Sequence, residues 1–118
     1  MENPVWKIFC RYLLVLFLLL LSSNVYSQMA VAIFNAEWNT ANSVNWIHEL
    51  KECKTISYVD IAKQKEAATK HKIAVVPTII IFKDGEEAVR FQADLSFKLL
   101  ATKEEVQEAI DELLMSDF

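Results

Sequence analysis

Apolar and polar positions recur with two different periods along the chain, and the changes of period mark its elements. Residues 29–35, Met-Ala-Val-Ala-Ile-Phe-Asn, are almost continuously apolar and stop at Asn35, as a buried central strand does. Val44, Ile47 and Leu50 then recur at helical spacing. They predict a helix opening at Asn39, whose side-chain oxygen can cap it, and running to about Lys51 or Cys53. Thr55 to Ile61 alternates as a second strand, and a polar, alanine-containing helix is expected over 62–72. Val75-Val76-Pro77 interrupts, and Thr78 to Phe82 is the most β-branched run in the chain. Asp84-Gly85 is a hairpin signal leading into a strand from Ala88 to Gln92, with Val89 and Phe91 on one side and Arg90 and Gln92 on the other. Residues 93–101 alternate loosely through Leu95, Phe97 and Leu99 and read either as a strand extension or as an apolar crossover. Thr102-Lys103-Glu104-Glu105 has the form of a capping box, and Val106, Ala109, Ile110, Leu113 and Leu114 make the apolar stripe of a final helix.

The order is βαβ, a helix, then ββα. Parallel neighbours need crossovers and the hairpin supplies an antiparallel pair, so the prediction is an α/β domain with a four-stranded mixed sheet and helices on both faces.

The first 27 residues follow a different pattern. Lys7 and Arg11 precede ten apolar residues, Tyr12 to Leu21, and a polar stretch of small residues follows from Ser22 to Gln28. Basic, apolar and cleavage regions in that order make a secretory signal peptide, with cleavage after Ser27 and a domain over 28–118. A helix needs roughly 20 apolar residues to cross a bilayer. A retained membrane anchor over residues 5–21 is the alternative. The expected location is the periplasm or cell envelope, with membrane contact only if that segment is kept.

Charge and cysteine count sharpen this picture. The chain of 118 residues carries a net charge of −4, and removing Glu2, Lys7 and Arg11 with the leader makes it −5. No basic footprint for phosphate exists, so nucleic acid is not expected as a partner. Of the two cysteines, Cys10 lies in the leader and Cys53 stands alone in the domain, which therefore holds by packing rather than by an internal disulfide. His48 and His71 with Cys53 match no ligand spacing, so no metal is expected and the histidines read as surface residues. With one glycine in the chain no phosphate loop can be built, and no cofactor is implied.

Three segments carry a family resemblance. Phe34-Asn35-Ala36-Glu37-Trp38 runs into Asn39-Thr40-Ala41-Asn42, Val76-Pro77-Thr78 opens an apolar strand, and Phe82-Lys83-Asp84-Gly85-Glu86 closes it. In that order and spacing they resemble the thioredoxin family, over about residues 30–92 and more loosely in the last helix. The resemblance implies the minimal thioredoxin fold, with a cis Val76–Pro77 bond facing the corner at 36–42. Full-length thioredoxins have a further strand and helix in front. The family's two cysteines fall on Asn39 and Asn42, and its buried carboxylate falls on Ile33.

An amide can donate and accept hydrogen bonds but cannot attack sulfur. The resemblance therefore implies a scaffold for disulfide exchange that is redox-inactive at its usual pair. Asn39 reads as a helix cap or as a contact to a partner's backbone. Trp38 reads either as core filling or as an anchor beside a groove, with Val75, Val76 and Pro77 as the facing wall and the Val75 backbone available to an extended peptide. Cys53 reads as inert and half-buried or as a monothiol. The function expected is a binding or accessory module for extended peptide or protein. The alternative is a thiol-disulfide oxidoreductase in redox homeostasis, acting through Cys53.

Overall fold

The computed structural model describes residues 28–116 and Arg11. The rest of the expected leader, with its cleavage point, the alternative anchor over 5–21 and Cys10, lies outside the described residues. Among the described residues no helix is long and apolar enough to cross a membrane.

Four strands, β1 (Met29–Asn35), β2 (Thr55–Asp60), β3 (Thr78–Lys83) and β4 (Glu86–Gln92), form one sheet in the order β2-β1-β3-β4. β1 runs parallel to β2, with Ala30 opposite Thr55 and Asn35 opposite Asp60. It runs antiparallel to β3, which continues antiparallel into β4. The hairpin turn is made by Asp84 at φ 52° and Gly85 at φ 85°. Two consecutive positive φ values give a type I′ turn, whose twist matches that of the strands. Because the turn is this tight, β4 begins at Glu86, two residues earlier than its apolar pattern suggests.

The alternation of β1 and β3 divides the core. Met29, Val31 and Ile33 with Ile79 and Ile81 face one way, against Val44, Ile47, Leu50, Val106 and Ile110. Ala32, Phe34 and Ile80 face the other, against Val59, Ile61, Ala67 and Ile73. Full burial of one Ile contributes about 1.5 to 3 kcal/mol. Ile79, Ile80 and Ile81 of β3 are completely covered, as are Ile47 and Ile110, which pack against the sheet.

The helices divide into one that formed as predicted, one that shortened and one that did not form. The last, α2 (Lys103–Met115), matches its stripe, and Thr102 accepts a hydrogen bond from Glu105 N–H at 3.2 Å as the cap requires. The helix expected over 62–72 is the shorter α1 (Lys65–Lys70), because the Asp60 carbonyl takes the N–H groups of Lys63 and Gln64 and delays its start. Lys72, at φ 52°, turns the chain just beyond its end.

The helix predicted from Asn39 to Lys51 or Cys53 is replaced by two 3₁₀ segments, Glu37–Asn42 and Ile47–Glu49. Between them Ser43 is extended, at φ −61° and ψ 145°. The polar run explains the break. Thr40 Oγ1 donates to Glu37 O and Ser43 Oγ to Thr40 O, so hydroxyls compete for carbonyls that a continuous helix would use. The apolar trio stays buried all the same, since a spacing of three suits a 3₁₀ period of three residues per turn. Residues 93–101 are neither strand nor helix but a turn held by Asp94.

Candidate functional site

β1 delivers the chain to a corner at Ala36, which is buried and extended at φ −134° and ψ 151°. The 3₁₀ segment begins there without a side-chain cap. Asn39 is therefore not the cap that the sequence predicts but lies within the segment, at non-helical φ −109° and ψ 22°. Its side chain is turned inward and only 4% exposed. The amide nitrogen donates to Asn35 Oδ1 at 3.1 Å, to Phe97 O at 3.2 Å and to Val76 O at 3.4 Å. Its oxygen accepts from Asn42 Nδ2 at 2.8 Å. One side chain thus joins the end of β1, the loop before β3 and the turn after β4, and Asn42 supports it. A buried amide without these partners would cost about 1 to 3 kcal/mol, so the joint holds the corner in place.

The loop before β3 contains the cis Val76–Pro77 bond expected from the family pattern. Val76 and Pro77 are buried and Val75 is half-buried. All three carbonyls are engaged internally: Val75 O accepts from Thr78 Oγ1 at 2.6 Å, Val76 O from Asn39, and Pro77 O from Ala93 N–H at 3.0 Å. Each of these carbonyls thus has one internal donor, and Pro77 is buried.

Trp38 is 62% exposed, which excludes the core-filling role. Its ring stands edge-on to Phe97, with centroids 5.1 Å apart. Together with Ile61, Ile73, Val75 and Val76 the two rings line a small apolar pocket of about 80 Å³. Phe97 was not among the residues the sequence singled out. It holds φ 64° in a turn organised by Asp94, whose carboxylate accepts from Ser96 N–H, Ser96 Oγ and Lys98 N–H. The Ser96 hydroxyl, then the Lys98 amide, hold the Asp94 carboxyl below its usual range. The Asp-x-Ser spacing at 94–96 is a turn signal that the loose apolar alternation around it obscured.

On the other side of the corner, an open cleft of about 490 Å³ lies between Asn35, Glu37 and Thr40 and the end of β2 at Tyr58 and Asp60. Ile33, at the position of the family's carboxylate, is 3% exposed and lies in its wall.

The structure separates Cys53 from this site. It lies two residues ahead of Thr55, beside the start of β1, whereas the corner follows the end of β1. Its thiol is half-buried and donates to Leu50 O at 3.7 Å. Burial pushes the thiol pKa up, with the Glu52 charge adding to the effect and a backbone hydrogen bond opposing it. His48 is exposed, but His71 packs between the rings of Phe34 and Phe82, at 5.4 Å from each. Among the described residues no group of three metal-ligating side chains assembles.

Comparison with known proteins places this geometry. The chain matches the family model for Thioredoxin over residues 26–110. A segment of 51 residues is 41% identical to Thioredoxin Y1, chloroplastic, of Arabidopsis thaliana, and spans 43% of this chain and 30% of that protein. The structure is similar to a point-mutant thioredoxin from Halobacterium salinarum, with a TM-score of 0.59 at 18% identity over 72% of this chain and 74% of that one. It is also similar to the thioredoxin of Fasciola hepatica, with a TM-score of 0.54 at 25% identity over 80% of this chain and 89% of that one.

Proposed function

The chain belongs to the thioredoxin family, and on that premise we propose that it is an exported binding or accessory module that does not exchange disulfides through positions 39 and 42. The observation that carries this reading is the inward, fully bonded Asn39. A nucleophile must be presented to a substrate, whereas this side chain is spent on holding three backbone segments together. Removal by export of the segment up to Ser27 is part of the proposal, and rests on the order of basic, apolar and small residues there.

The ligand proposed is extended peptide, or an extended protein segment, bound beside Trp38. Since the Val75, Val76 and Pro77 carbonyls each already accept one internal bond, the contact proposed rests chiefly on the Trp38 and Phe97 rings and on one apolar side chain entering the pocket between them. Aromatic anchors beside a shallow pocket give such contact without backbone pairing. A monothiol route through Cys53 gains no support from a half-buried thiol whose pKa is raised.

Two measurements test the proposal. Insulin reduction should show no turnover above background in the wild-type protein; thioredoxin-like turnover, lost in Cys53→Ser, would refute the redox-inactive reading. With Trp46 replaced by Phe so that Trp38 is the tryptophan of the domain, titration with a reduced, alkylated unfolded polypeptide should change its fluorescence and give saturable binding. If Trp38→Ala binds that polypeptide as tightly as wild type, the groove is not the site.

A further inference from the structure

Among the described residues β2 is an edge of the sheet, and the hydrogen-bond phase shows which of its backbone groups point outward. Asp84 N–H donates to Gln28 O and Ile61 N–H to Asn35 O. Even-numbered residues of β1 therefore bond toward β3 and odd-numbered ones toward β2. With Asn35 opposite Asp60 in a parallel ladder, the bonds from β1 fall on Thr55, Ser57 and Val59. Ile56 and Tyr58 direct both N–H and C=O away from the sheet. The row is closed at each end: Lys54 N–H turns in to Met29 O at 2.6 Å, and Asp60 O already accepts from Lys63 and Gln64 at 3.1 and 2.8 Å.

An open edge pairs with another strand unless charge, proline or a bulge blunts it, and residues 55–59 contain no charge and no proline. What the edge fits best is itself. We infer that β2 is a homodimerisation edge, pairing antiparallel with β2 of a second copy about a two-fold axis at Ser57. In that register Ile56 faces Tyr58 of the second copy and the two exchange N–H and C=O bonds, four in all by symmetry. Tyr58, 63% exposed in the single chain, gains a β-branched cross-strand neighbour. Lys54 faces Asp60 of the second copy at both ends, so each copy supplies one cation and one anion.

Charge selects this register over its rivals. Sliding one copy by two residues keeps the outward groups in phase, but sets Glu52 against Asp60 in one direction and Ile56 against Asp60 in the other. Sliding by one residue puts Ile56 opposite Ser57 or Val59, whose backbone groups face β1. Of these registers, only pairing about Ser57 satisfies both the backbone and the charges.

The test is sedimentation equilibrium of the full chain over about 1 μM to 1 mM, the range expected for a contact of a few residues. Wild type should show a monomer–dimer equilibrium. Tyr58→Pro removes an outward N–H, which an edge strand tolerates, and should abolish the dimer while circular dichroism is unchanged. Lys54→Glu and Asp60→Lys each set like charges opposite and should weaken the dimer by about tenfold. The double variant should return to within about threefold of wild type. Asp60→Lys also loses the Asp60 Oδ1 bond to Ala62 N–H, and because the double variant shares that loss, its recovery isolates the charge pairing. A monomer at every concentration overturns the inference, and protected Ile56 and Tyr58 amides in that monomer would assign the edge to the chain's own leading segment. A dimer that survives Tyr58→Pro, or that the double variant fails to restore, also overturns it.

Discussion

The corner segment at 37–50 and the final helix at 103–115 carry similar apolar spacing and fold differently. Val44, Ile47 and Leu50 are buried as Val106 and Ile110 are, yet the first set sits on broken 3₁₀ turns and the second on thirteen helical residues. The difference lies in what the polar residues do. Around α2 they cap and solvate: Thr102 takes an N–H, and Gln107 bonds the Lys51 backbone in both directions. At the corner Thr40 and Ser43 bond the local backbone, while Asn39 bonds neighbouring segments and accepts from Asn42. Burial is thus decided by the apolar period, and helicity by whether polar side chains leave the backbone bonds alone.

Core truncation tests the first half of that statement. Ile47→Ala and Ile110→Ala should each cost about 2 to 5 kcal/mol in urea unfolding, since both side chains are fully covered. If Ile47→Ala costs under half of Ile110→Ala, the broken segment contributes less to the core than its burial says.

Polar substitution tests the second half. Asn39→Ala should cost about 1 to 3 kcal/mol, because it strips a donor from two backbone carbonyls and leaves the Asn42 amide without its acceptor. Thr102→Ala should cost about 1 kcal/mol and shorten only the start of α2. A smaller loss for Asn39→Ala than for Thr102→Ala in the same urea series would show that Asn39 is not a joint.

The smallest effect expected is local and depends on pH. The Asp94 carboxyl is held below its usual range by Ser96 and Lys98, so the turn is favoured while that group is ionised. Its contribution is complete above the ordinary carboxylate value of about 4 and is lost as pH falls through the lower folded-state value. In a Trp46→Phe background, Trp38 fluorescence, reporting its contact with Phe97, should be flat above that range and change below it. Asp94→Asn should abolish the acid step; an unchanged step would assign it to another carboxylate.

Much of the fold was legible because its signals are local. Asp84-Gly85 names its turn, the run at 29–35 names a central strand, and Thr102 names the start of a helix. The site was legible only in outline. Trp38, Asn39, Val75 and Val76 do converge, but Asn39 does so from inside the corner, and Phe97 joins through a turn that its alternating neighbours disguised. Pro77 lies buried behind the surface.

By itself the sequence determined which residues of its apolar stripes are covered and in what order the strands and final helix occur, because periodicity and turn chemistry act over a few residues. The tertiary structure alone decided what the asparagines at the corner do. Asn39 finds its acceptors at residues 35, 76 and 97, the last 58 positions away, and a bond over that distance exists only once the sheet has brought its ends together.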